Sequence, residues 1–94
     1  LNFAEYEQWL RQLVQEGQLD GAACEDLLEQ RRIFDSKRRD FETSYAGLVV
    51  GVAGGEVWVN DSVSALLEKA VHLDHQIYYE HIPQSAAKVV AIPL

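Results

Sequence analysis

The 94-residue chain has one cysteine, two prolines and no methionine. A lone cysteine, Cys24, excludes an intramolecular disulfide and a cysteine zinc site. It fits a reducing compartment, so a cytoplasmic location is expected. Bases are scarce, with 8 Lys and Arg against 15 Asp and Glu, for a net charge of −7. Phosphate neutralisation supplies most non-specific affinity for nucleic acid, so this balance argues against a nucleic-acid partner. It also works against anionic membrane surfaces. No apolar run reaches the ~18 residues of a membrane span. No basic stretch followed by an apolar one opens the chain, so no signal peptide is read. The absence of methionine and the start at Leu1 leave room for residues ahead of it.

What is present is ordinary for a folded protein. Hydrophobic residues make up 48% and charged residues 24%, which excludes a disordered class. The length is that of one domain, 1–94. Residues 1–44 carry ten acids and six bases, and residues 45–94 only five and two. The expectation is a solvated helical half followed by a sheet half.

Asn2 with Glu5 three residues on has capping-box spacing, and Phe3, Tyr6, Leu10 and Leu13 then make one apolar face. A helix is predicted from Phe3 to about Gln15, stopped at Gly17. Asp20 caps a second helix running to about Ser44. Leu27, Phe34 and Phe41 recur every seven residues along it. The short connection at 16–20 implies an antiparallel helical hairpin.

Two strands follow, Leu48–Ala53 and Glu56–Asn60, with Gly54-Gly55 between them. A phosphate loop needs a Lys after its glycines, and a dinucleotide fingerprint needs a helix there. Here a strand follows and no Lys does, so the pair reads as a type I′ hairpin turn. Gly51, inside a strand, is expected to admit a close neighbour, Trp58 or a helix. Asp61 or Ser62 then opens a third helix carrying Val63, Leu66, Leu67, Ala70 and Val71. Gln76–Ile82 reads as a third strand and Val89–Ile92 as a short fourth at an edge. The fold class is therefore α+β: a helical hairpin (1–44), then a small, mainly antiparallel β-β-α-β-(β) unit (45–94).

Within that second half, Tyr45-Ala46-Gly47, a valine run, Gly55-Glu56-Val57, Asp61-Ser62, Leu66-Leu67-Glu68-Lys69-Ala70 and Ile82-Pro83 form a pattern. It resembles a small prokaryotic domain of unknown function, over about residues 44–83. The chain departs from that pattern at Leu48-Val49, where a basic or aromatic residue is expected. The resemblance implies a fold and carries no catalytic residues.

Candidate chemistry is thin. His72, His75 and His81 fall close together with Asp74 and Glu80, and zinc accepts such donors. Each histidine also has an ordinary place at a helix end, in a loop or on a strand. Cys24 lies on an apolar stripe with no base nearby, as a buried thiol does. The basic run "QRRIFDSKRRDF" holds five of the eight bases. Its pairs Arg31–Asp35, Asp35–Arg39, Arg38–Glu42 and Glu29–Arg32 have helical spacing, so much of the charge balances within the helix. Ile33 and Leu28 give that helix apolar residues on more than one side. Its length, about 37 Å, exceeds the sheet unit, so an overhang buried against a second copy is expected.

The leading expectation is a non-catalytic homodimeric interaction module, without cofactor, that serves another cytoplasmic protein. Its partner surface is expected at Leu28, Arg31, Ile33, Phe34, Arg38 and Phe41. The competing reading is a small-molecule or metal-binding protein, an enzyme included, with a site near His72, His75, His81 and Tyr79.

Overall fold

Each helix starts where a side chain takes over orphan backbone donors. In the computed structural model, which describes residues 1–84, helix α1 spans Phe3–Gln15. Asn2 accepts the Glu5 N–H at 2.8 Å while Glu5 accepts the Asn2 N–H at 3.1 Å. Helix α2 spans Gly21–Ser44 and is capped by Asp20, which accepts from the Ala22 and Ala23 N–H groups. Strands β1 (Val49–Ala53) and β2 (Glu56–Asn60) follow. Helix α3 (Val63–Ala70), capped by Ser62, leads to strand β3 (Ile77–His81). The α+β class is as expected. The fourth strand expected at 89–92 lies outside the described residues.

The described strands form one antiparallel sheet in the order β2-β1-β3. Gly54 and Gly55 have φ +58° and +80°, as a type I′ turn requires of both central residues. The register runs one-to-one without a bulge, Val49 opposite Asn60 through to Ala53 opposite Glu56. On the other side of β1, Val49 faces His81 and Ala53 faces Ile77. β1 is buried at all five positions.

Alternation along β1 divides the sheet into two faces. Val50 and Val52 pack with Phe34, Phe41 and Ile82, joined by Val57, Val59 and Tyr78. That is the α2 side. α2 lies over β1 and β3, whereas α3 lies on the opposite face over β2 and β1. Gly51 points toward α3. A Cβ there would stand 2.7 Å from Ile77 Cδ1 and 3.1 Å from Leu66 Cδ2. Of the two close neighbours expected at Gly51, the helix is the one met, through Leu66, and Ile77 of β3 stands closer still.

A second cluster forms between the helices. Tyr6 and Leu10 of α1 pack on Cys24 and Leu28 of α2, with Leu27 and Tyr78 at its margin. Tyr78 touches both clusters and so ties the hairpin to the sheet.

Candidate functional site

The surface expected on α2 is largely consumed by the chain itself. Leu28 and Phe34 are fully buried and Phe41 is 3% exposed. Leu28 lies against α1 and the two phenylalanines lie against the sheet. Ile33 packs half-buried on the sheet core. This corrects the expectation for Leu28, Phe34 and Phe41. The helix carries apolar residues on two sides because it lies between two layers of its own chain.

Arg31 is likewise an interior residue, only 5% exposed. Its guanidinium lies 5.2 Å from the centroids of both the Tyr6 and Tyr78 rings. Its Nε donates to both Asp35 carboxylate oxygens, and Nη2 donates to the Leu1 carbonyl at 2.7 Å. A buried cation survives only when paired and bonded, and here aromatic faces complete the enclosure. Arg38 is half-buried beside it and forks onto Glu80 of β3 through two 2.7 Å bonds. It also donates to Asp35 and lies over the Phe34 ring. The Tyr78 hydroxyl donates to Glu80. The expected Glu29–Arg32 and Arg31–Asp35 pairs form. Asp35 pairs with Arg38 instead of Arg39, and Arg38 reaches across to Glu80.

These contacts shift the groups that make them. Burial pushes the Tyr78 hydroxyl well up, and donation to Glu80 adds to it. Burial pushes Tyr6 up to about 12 against the opposing charge of Arg31. Burial would raise Glu80, but bonds from Arg38 and Tyr78 together with both arginine charges outweigh it and hold its carboxyl below the usual range. The Glu80 bond, as its largest cause, keeps Arg38 firmly charged. The network neutralises itself, and no unpaired acid or base is left in it for chemistry.

A second polar clasp sits one turn of α2 earlier. Buried Gln30 accepts the N–H of Gly55 at 3.0 Å and donates to Asp26. Asp26 accepts the Gln76 N–H at 2.9 Å. One helix turn thus holds both the hairpin turn and the loop before β3. The spacing of Asp26 and Gln30 is visible in the sequence; their backbone partners are not.

His75 lies by Asp26 at 3.9 Å, its ring against Gly54. His72 and His81 are exposed. Among the described residues no three His, Cys, Asp or Glu side chains gather as a metal ion requires. A groove of about 570 Å³ runs along α1, lined among those residues by Gln8, Arg11, Gln12, Gln15 and Glu16. It contains none of the residues of the competing reading. No helix among the described residues is long and apolar enough to cross a membrane.

The uncovered apolar surface lies elsewhere. Val63, Leu67 and Val71 are 37%, 39% and 72% exposed, and their four-residue spacing puts them on one stripe of α3. Tyr79 is 38% exposed. It alternates with inward-facing Tyr78 and so points to α3's side of the sheet. The i, i+4, i+8 spacing is legible in the sequence, which does not show that the sheet covers Leu66 and leaves this stripe open. No family model, curated protein or solved structure matches the chain.

Proposed function

We propose that the chain is a non-catalytic interaction module that works as a homodimer and serves another cytoplasmic protein. The observation that carries this reading is the exposure of the apolar Val63, Leu67, Val71 and Tyr79, beside an interior whose two arginines are already paired. Large apolar side chains clustered at a surface are the usual mark of a protein contact. The polar groups support the same reading. Arg31, Arg38, Asp35 and Glu80 engage one another, and Gln30 and Asp26 engage backbone. Of the residues first expected to meet a partner, Arg38 alone keeps a partly open polar side chain, 34% exposed.

Sedimentation velocity on the full chain tests the dimer. A reversible dimer in the micromolar range is expected, and a monomer at several hundred micromolar overturns the reading.

A further inference from the structure

Strand β2 is an edge of the described sheet, and it carries little of what edges use to block pairing. It has no proline, no lysine and no bulge, and its register with β1 is unbroken over five residues. Its single charge, Glu56, stands at one end. Alternate residues of such a strand turn their N–H and C=O groups outward, where an added strand can bond them.

Its side chains are also incompletely used. Val57 and Val59 face the α2 side but stay half-buried, because α2 lies over β1 and β3. The Trp58 Nε1 and Asn60 Nδ2 donors are buried without a partner among the described residues.

We propose that a second copy of the chain adds its own β2 to this edge, antiparallel about a two-fold axis at Trp58. The proposal rests on the homodimer reading above and names its surface. In this register Glu56 stands opposite the partner's Asn60. A carboxylate then stands across from a neutral carboxamide, so the pairing brings no like charges together. Val57 stands opposite the partner's Val59, which continues the apolar row of the α2 side. Trp58 meets itself. The sequence E-V-W-V-N is thus self-complementary under the two-fold, as an isologous contact demands. The axis runs through the sheet, so both α3 helices stay on one face, next to each other. The described strands of the two copies then join into one continuous six-stranded sheet.

Cysteine pairing tests the register. Directly opposite residues have Cβ atoms about 4.5–5.5 Å apart, close enough for a disulfide. Glu56→Cys and Asn60→Cys chains, mixed and oxidised, are expected to form a covalent heterodimer. Either variant alone is not, because its own thiols lie about 13 Å apart across the axis. Hydrogen exchange on the unaltered chain gives a second readout that no misfolded variant can spoil. Protection of 56–60 is expected to rise with protein concentration, while that of 77–81 stays level. A dimer by sedimentation without the mixed disulfide, and with concentration-dependent protection at 77–81 instead, overturns the edge while leaving self-association standing. A monomer throughout overturns both, and leaves the edge to a strand of a different protein.

Discussion

Gly51→Ala probes the tightest contact in the fold. The added methyl would stand 2.7 Å from Ile77 Cδ1, 3.0 Å from Ile77 Cγ1 and 3.1 Å from Leu66 Cδ2. Carbon atoms prefer ~3.5–4.0 Å, so the first contact is about 1 Å too short. Leu66 is fully buried and cannot withdraw, whereas Ile77 is half-buried and its terminal methyl can rotate. Overpacking of this kind costs about 1–3 kcal/mol. Replacing glycine in a strand returns about 0.5–1 kcal/mol of backbone entropy. The expected net loss is about 1–2 kcal/mol. Ile77→Val deletes the methyl at 2.7 Å and leaves the carbon at 3.0 Å, so it should rescue part of that loss. Urea denaturation of the wild-type, two single-variant and double-variant proteins measures the coupling. It should favour the double variant by at least about 0.5 kcal/mol. Additivity within about 0.3 kcal/mol, or a neutral Gly51→Ala, would refute the packing argument.

Arg31→Met keeps the bulk of the side chain but removes a cation held by two rings, Asp35 and the Leu1 carbonyl. Breaking a buried pair costs about 3–5 kcal/mol, and Asp35 keeps Arg38, so about 2–4 kcal/mol is expected in the same urea assay. Gln30→Ala should cost about 1–2 kcal/mol and speed hydrogen exchange at Gly55, whose N–H it strands. Arg32→Ala, on the exposed side of α2, should stay within about 0.5 kcal/mol. The pH profile follows from the shifted groups. Glu80 is depressed when folded, so its contribution is present above the ordinary 4.5 and fades as acid protonates it. Tyr6 and Tyr78 are raised when folded, so their contribution is complete below 10 and is lost as pH climbs toward 12 and beyond. The urea midpoint should therefore fall at both extremes. Tyr78→Phe should flatten the alkaline limb, and an unchanged limb contradicts the assignment.

Local signals were legible because they depend on neighbours in sequence. The Asn2 capping box, the Asp20 cap, the Gly54-Gly55 turn and the opposite faces of Tyr78 and Tyr79 all follow from spacing alone. Arg31 was misplaced because its surroundings come from 25 residues before it and 47 residues after it. A single sequence shows Asp35 one turn away and nothing of the two rings. The reading of Phe34 and Phe41 as a partner surface failed for a related reason. Periodicity reports that a helix face is apolar and is silent on which layer covers it.

The coverage of the sheet explains where unclaimed apolar surface remains. Strands lie about 4.8 Å apart and a helix with its side chains is about 10 Å wide, so one helix covers about two strands. A three-stranded sheet with one helix on each face must then leave a flank open on each side. Here the helices are offset in opposite directions, α2 toward β3 and α3 toward β2. The open flanks are therefore diagonal: β2 on the α2 side, with Val57 and Val59, and β3 on the α3 side, with Tyr79. Both carry apolar side chains, and α3 itself exposes Val63, Leu67 and Val71. The chain's own described core covers these three only in part, at 37%, 39% and 72% exposure. Among the described residues the two partly covered flanks are thus distinct, one beside the β2 edge to which the proposed second copy would add and one along α3.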